Sequence, residues 1–308
     1  MEFNSIQDFR RNFTQVYHSS VAKELESFER TKKRIKTNIH IIYIVEIIVL
    51  VAILYFFKFE FTRECSTIIA LSLMIVVSIK RWMCKNFEKS IKRIVMPVIM
   101  KAFGNFVWVN ASVIDSYTLK ESRIFGRFDE KRDDDCFFGT YKGLAINIDE
   151  TELYYVTRDS DGHSHKHTEF KGVIAQIDFG KNFKGHTIIR RRGLLNSKVY
   201  EEIKLEDPEF SKMYFVDGSD QIESRYILTT SFMERFKNIK NAFNASQMEA
   251  SIKDNKILIA ISTNKDLFKL GSLYKPVNDT KQFTELLNEF VSILEIVDEL
   301  KLNQNIGL

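Results

Sequence analysis

Three histidines at alternate positions, His163, His165 and His167, lie in RDSDGHSHKHTEF with Asp159 and Asp161 beside them. Imidazoles at i, i+2 and i+4 point to one face of a strand and could share a Zn²⁺ or Ni²⁺ ion. The same segment reads as the tip of a hairpin, where polar residues are the default, so the expectation is a solvated turn without metal. GKNFKGHT at 180–187 nearly spells a phosphate loop, but His186 stands where lysine should be and a strand-like TIIRRR follows instead of a helix. That chemistry needs the lysine on the β- and γ-phosphates and a helix N-terminus behind the loop, so a turn is expected here.

FDEKRDDDCFFG gathers Asp129, Glu130, Asp133, Asp134 and Asp135. Paired carboxylates can move protons or hold hard cations, but the interspersed Lys131 and Arg132 point to a self-neutralising solvated loop, and the spacing is not that of a calcium loop. Arg190, Arg191 and Arg192 form a basic run where a phosphate, a lipid headgroup or an acidic partner could dock; a charged edge strand is the structural alternative. No Ser/His/Asp or Cys/His constellation can be assembled by spacing, and neither H-E-x-x-H nor a nucleophile elbow occurs.

The elements that would position these groups follow from a strongly uneven composition. No glycine precedes Gly104, whereas nine of the twelve fall between Gly126 and Gly218. Glycine is costly inside helices and common at turns, so the first hundred residues read as helical and the middle as short strands. Residues 39–57, IHIIYIVEIIVLVAILYFF, are interrupted only by His40 and Glu46. As a helix this run is about 28 Å long, enough to cross the hydrocarbon core of a bilayer. Residues 65–79, CSTIIALSLMIVVSI, give a shorter run of about 22 Å, with Arg81 and Trp82 where interfacial anchors would lie. A two-span helical hairpin over 39–84 is expected, with spans near 39–57 and 65–81. Glu46 is then a membrane-embedded acid, a position that is costly and often functional.

Basic residues set the orientation of such a hairpin. The fifteen residues before the first run carry five lysines and arginines and the fifteen after the second carry six, while the loop KFEFTRE carries two. Both termini are expected in the cytoplasm. Flanking the spans, Phe9, Phe13, Tyr17, Leu25 and Phe28 make one helical stripe in residues 1–38, and Phe87, Ile91, Val95, Ile99 and Phe103 make another in residues 85–109. They either pack together as a stalk or lie on the bilayer. Pro97 should kink or break the second.

Residues 110–308 are expected to form one α+β domain, with strands first and helices among strands afterwards. GLAINIDETELYYVTRD and HTEFKGVIAQIDF alternate as strands do; HTIIRRR and KMYFV read as further strands and YILTT as the end of another. SFMERFKNIKNAF reads as a helix capped by Ser231 and Glu234, KILIAI as a buried strand, and 280–302 as a closing amphipathic helix.

Within this region IKLEDPEFSKMYFVDGSDQIESRYILTTSFMERF, residues 203–236, resembles the signature of a bacterial membrane-protein family known as domain of unknown function 3137. The likeness rests on Leu205, Glu206, Asp207, Pro208 and Phe210, then Asp220, Gln221, Glu223, Arg225, Tyr226, Leu228 and Thr229, then Phe232, Met233 and Glu234. Residues 170–189 and 122–143 look like the same family's earlier blocks, so the likeness spans roughly 85–300. It implies two spans followed by a cytosolic domain and brings no catalytic residues. Physically, Asp207 and Pro208 read as a helix start, and Asp220, Glu223 and Arg225 as flanking a strand in an ion-pair lattice or a ligand site.

The net charge of +4 divides accordingly: residues 1–94 carry 16 basic and 9 acidic side chains (+7), and 95–308 carry 29 and 32 (−3). The basic excess is therefore a topological signal around two spans and not a nucleic-acid footprint. The expected protein is a bacterial inner-membrane protein with no cofactor. Its cytosolic domain works as a binding or scaffolding module; the alternatives are a membrane-tethered enzyme or sensor using a cleft, and a small transporter subunit centred on Glu46. Expected partners are the lipid bilayer, another membrane or cytosolic protein, and a second copy of the chain.

Overall fold

The computed structural model describes residues 5–178, 183–193, 198–243, 245–300 and 302. The chain forms two compact units. One contains Phe13–Ala102 and Lys269–Leu286, the other Met1–Asn12, Phe103–Phe268 and Leu287–Leu308.

The helical unit holds the end of α1 (Ile6–Val16), a π-helical turn at Tyr17–Val21, α2 (Ala22–Phe56) and α3 (Arg63–Met100). Thr62 caps α3 by accepting the Cys65 N–H on its hydroxyl. At 35 and 38 residues, α2 extends far ahead of its apolar run and α3 far beyond its own, each without a break. Each is about 50–57 Å long, well beyond a hydrocarbon core of about 30 Å. Pro97 falls in the last turn of α3, so its disruption coincides with the helix end instead of bending the middle. The stripe anticipated from periodicity is the packed one: Phe13, Tyr17, Leu25 and Phe28 are buried, and Phe28 meets Phe87 edge-on with ring centroids 6.4 Å apart. Segment 275–278 is tied to this surface by three hydrogen bonds. Lys32 Nζ donates to the Lys275 carbonyl, the Val277 N–H donates to the Glu29 carboxylate, and the Tyr17 hydroxyl donates to the Asn278 carbonyl.

The apolar halves of α2 and α3 behave differently. Only 6% of the most apolar stretch of each is buried, and Ile44, Ile47, Ile48, Met74 and Ile75 lie largely bare. By length and composition both helices can cross a membrane. Glu46 is buried on this surface, as Ile39 and Cys65 are: it is 8% exposed, and its Oε1 has no hydrogen-bond partner among the described residues.

The other unit is built on a sheet in which nine strands are described, all adjacent pairs antiparallel, in the order β1-β2-β3-β4-β9-β8-β5-β7-β6. These are β1 (Val107–Val109), β2 (Glu130–Tyr141), β3 (Leu144–Arg158), β4 (Ser164–Asp178), β5 (Thr187–Arg191), β6 (Glu201–Glu202), β7 (Tyr214–Gly218), β8 (Gln247–Lys253) and β9 (Lys256–Ser262). Four short or medium helices punctuate it: α4 (Ser116–Glu121), α5 (Pro208–Met213), α6 (Gln221–Ile227) and α7 (Thr230–Ala242). The closing helix α8 is Thr280–Glu299.

Alternation along each strand sorts the core into two layers. On one face Phe137 packs against Phe268 and against Phe290 of α8, with Phe106, Phe103 and Phe9 completing an aromatic cluster at centroid distances of 4.5–5.5 Å. The other face carries Leu153, Ile174, Ile188 and Leu258 beneath Leu119 of α4 and Phe128. Sheet and helices together make the α+β fold that the sequence implies.

Three local expectations are corrected. FDEKRDDDCFFG is strand β2 and not a solvated loop, with Asp135 and Cys136 fully buried beside a register shift between Asp133 and Cys136. YILTT is not a strand end; it closes α6 and opens α7. The cap of α7 is Thr229, whose hydroxyl accepts the Phe232 N–H, two residues earlier than the expected cap at Ser231 with Glu234.

Candidate functional site

Antiparallel register places directly opposed residues on the same face of a sheet. The pairs Asp217–Ile188, Ile188–Ser251, Ser251–Leu258 and Leu258–Gln176 therefore form one row across β7, β5, β8, β9 and β4. Two polar assemblies stand on this row. At one end Asp217, wholly buried, accepts from Arg190 Nη2 at 3.0 and 3.1 Å and from the backbone N–H groups of Val199 and Tyr200 at 2.8 and 3.1 Å. In the middle, Ser251 Oγ lies 2.8 Å from His186 Nε2, and the Tyr200 hydroxyl lies 3.4 Å from Nδ1.

Burial, reinforced by the Lys253 charge, pushes the His186 imidazole down to about 4, against the pull of the Ser122 carbonyl, Asp217 and Glu121. It is neutral at pH 7. An unfolded histidine takes up its proton near pH 6.5 and the folded one does not, so stability is present above pH 6.5 and is lost as pH falls from there toward 4. Between pH 7 and pH 5 the loss amounts to about 2 kcal/mol. In His186→Asn that part of the acid sensitivity should vanish from denaturation curves of the detergent-solubilised chain; an unchanged loss between the two pH values would remove His186 as its source.

Two clefts open on this unit, the first beside Ser251. The first, about 260 Å³, is lined by Gln176, Ser251 and Leu258 of the row, by Tyr117, Glu121 and Ser122 around α4, and by Lys253, Asp254 and Lys256 of the β8–β9 turn. Its charges are largely matched: Lys253 pairs with Glu121 at 3.0 Å and Lys256 with Asp178 at 3.8 Å. The second, about 520 Å³, is formed by Lys204, Leu205 and Glu206 ahead of α5, by Arg225 and Leu228 of the α6 end, and by Thr229, Thr230 and Met233 at the start of α7.

The residues singled out from sequence separate into distinct positions. Asp220 is the N-cap of α6, accepting from the Ile222 and Glu223 N–H groups. The Glu223 carboxylate accepts the Lys184 and Gly185 N–H groups, so among the described residues neither carboxylate pairs with Arg225, which lines the second cleft. The three arginines are engaged internally: Arg190 with Asp217, the Arg191 N–H with Glu249, and Arg192 with Glu202 and the Ser211 carbonyl. Asp207 caps α5 as its sequence suggested, accepting from the Glu209 and Phe210 N–H groups. Residues 180–182 of the GKNFKGHT segment lie outside the described residues, and strand β5 follows that segment.

At the β3–β4 hairpin tip His165 contacts Asp159 at 3.1 Å, while His167 contacts the Thr157 hydroxyl at 2.8 Å and stacks on Tyr155. Asp133, Cys136 and Asp149 are the group of potential metal ligands that does converge among the described residues. A cation already stands there: Lys131 Nζ is 2.5 Å from Asp133 and 2.9 Å from Asp149. Asp149 also accepts from the Ser112 hydroxyl and the Val113 and Ile114 N–H groups, and burial pushes the Cys136 thiol far up, so no thiolate is on offer. The donor set fits a structural ion pair and not a metal.

Sequence reasoning missed Lys204 and Ser251. Lys204 stands just ahead of the LEDP turn, a place only the fold connects to α7. Ser251 lies 65 residues from His186, and no local signal joins them.

Residues 168–302 match the model of a family described as Protein of unknown function (DUF3137). This region belongs to that family. The DUF3137 region contains β5–β9 and α5–α7 and includes every residue lining the second cleft. It begins at residue 168, so the block at 122–143 and the two long helices lie outside it. No curated protein matches the chain. The crystal structure of the mycobacterial trehalose monomycolate transport factor A, TtfA, is similar over 65% of this chain and 90% of that one, at 12% identity and a TM-score of 0.35. That likeness is too loose to carry an argument.

Proposed function

We propose that the protein is anchored in the bacterial inner membrane by α2 and α3 and presents its α+β domain in the cytoplasm as a non-catalytic binding module. The observation that carries this is the bare apolar surface of the two helices, flanked by eleven basic residues on the termini side and two in the loop. An apolar exterior of that extent finds its cover in lipid. Partners are then the bilayer, another membrane or cytosolic protein, or a second copy of the chain.

Membrane fractions washed at alkaline pH and high salt should keep the protein in the pellet. In inside-out vesicles protease should digest the α+β domain, and in right-side-out vesicles it should not. Release by the wash sinks the anchor, and protection of the opposite kind reverses the topology.

One observation supports a second reading, a tethered enzyme: the Ser251–His186 contact at 2.8 Å on the wall of the smaller cleft. Against it, an imidazole at about 4 is a poor base at neutral pH. Labelling of Ser251 by a fluorophosphonate would favour the enzyme, and its absence the binding module.

A further inference from the structure

The larger cleft collects two cations. Two other basic side chains of this unit are spoken for: Lys237 lies between Asp207 and Glu209, and Arg192 meets Glu202. Lys204 and Arg225 both line the cleft, and neither makes a hydrogen bond or ion pair among the described residues. An arginine and a lysine left solvated at the same concavity are the usual partners of an oxyanion, the guanidinium through paired N–H groups and the ammonium as a point charge. Glu206 is the single carboxylate in the lining, so the cleft keeps a net positive charge.

Two further features narrow the ligand. Thr229 and Thr230 bring α7, a 13-residue helix, to the cleft by its N-terminal end, where unbonded N–H groups and the helix dipole favour negative charge. Leu228 and Met233, 3% and 1% exposed, supply an apolar floor beside these polar groups, with Leu205 next to them. A bare inorganic ion would leave that floor and much of the 520 Å³ unused.

We propose that this cleft binds a phosphate group carried on an apolar body, the phosphate held by Arg225, Lys204 and the start of α7 and the apolar part resting on Leu228 and Met233. The proposal rests on the binding-module reading and names the ligand class of that module. The same chemistry is found in a free alkyl phosphate and in the headgroup of an anionic phospholipid.

The full-length chain in zwitterionic lipid discs should be titrated by calorimetry with hexyl phosphate, inorganic phosphate and hexanol. Hexyl phosphate should bind at least about tenfold more tightly than either of the others, tenfold being about 1.4 kcal/mol. Arg225→Gln and Lys204→Gln should each weaken it by about tenfold or more. Glu206→Gln should tighten it. These three side chains are exposed, so the variants should melt like the parent.

No binding of hexyl phosphate, equal binding of inorganic phosphate, or undiminished binding by both charge variants overturns the proposal. Repeating the titration in discs containing phosphatidic acid separates the sources: loss of hexyl phosphate binding indicates the lipid headgroup, and retention a soluble ligand. Where hexyl phosphate fails to bind but the chain still pellets with washed membranes, this proposal falls and the anchored-module reading stands.

Discussion

Asp217→Ala is expected to destabilise the α+β domain by about 3–5 kcal/mol, the usual cost of removing one partner of a buried ion pair. Asp217 is fully buried in β7, and Arg190, its neighbour on β5, keeps only 12% of its side chain exposed. Besides the guanidinium, the carboxylate satisfies the N–H groups of Val199 and Tyr200. Alanine would strand a cation and two backbone donors at once. Denaturant unfolding of the full chain in detergent measures the loss. Asp217→Ala combined with Arg190→Leu should recover part of it, because no buried charge is then left alone. If the single variant lost less than about 1 kcal/mol, the Arg190–Asp217 contact would not be the keystone the geometry makes it.

The outcome would bear on how the arginine run should be read. In sequence, RRR invites an anion, and the acid that occupies Arg190 is 27 residues away, visible only once β5 and β7 are paired. Glu202 reaches the Arg192 guanidinium in the same non-local way, and Glu249 accepts the Arg191 backbone N–H. Features set by local physics were readable: the apolar runs that became α2 and α3, the alternation of β3 and β4, and the Asp207 cap. Features set by register were not. In β2 three successive aspartates look solvated, but the register shift between Asp133 and Cys136 interrupts strict alternation, and Asp135 ends up buried with the Trp108 indole N–H donating to it at 2.8 Å. For the candidate site the signature was legible as a segment, and its division of labour was not. Asp220 and Glu223 serve helix and turn ends, and Arg225, two residues on, faces a cleft whose other cation lies 21 residues upstream.

Gly172→Ala should cost more than about 4 kcal/mol, a size reserved for substitutions with a specific steric or electrostatic cause. Gly172 lies in β4 between two neighbours, opposite Thr151 of β3 and Ser262 of β9. Its φ of +152° is a conformation that side-chain-bearing residues rarely adopt, and a Cβ built there would come within 2.0 Å of the Ile261 carbonyl oxygen and 3.0 Å of the Thr263 nitrogen. Both obstacles are backbone, so no rotamer can yield. Relief requires parting β4 from β9, next to the hydrogen bond from the Thr263 N–H to the Lys171 carbonyl. Gly162 provides the control. It too has positive φ, +83°, at the hairpin tip, but a Cβ there meets nothing within 4 Å. Gly162→Ala should therefore cost only the conformational strain of about 1–2 kcal/mol. Equal losses in the two variants would show that strain alone acts at Gly172. A much larger loss at Gly172, with amide exchange accelerated in β4 and β9, would locate the cost in the steric contact between those strands.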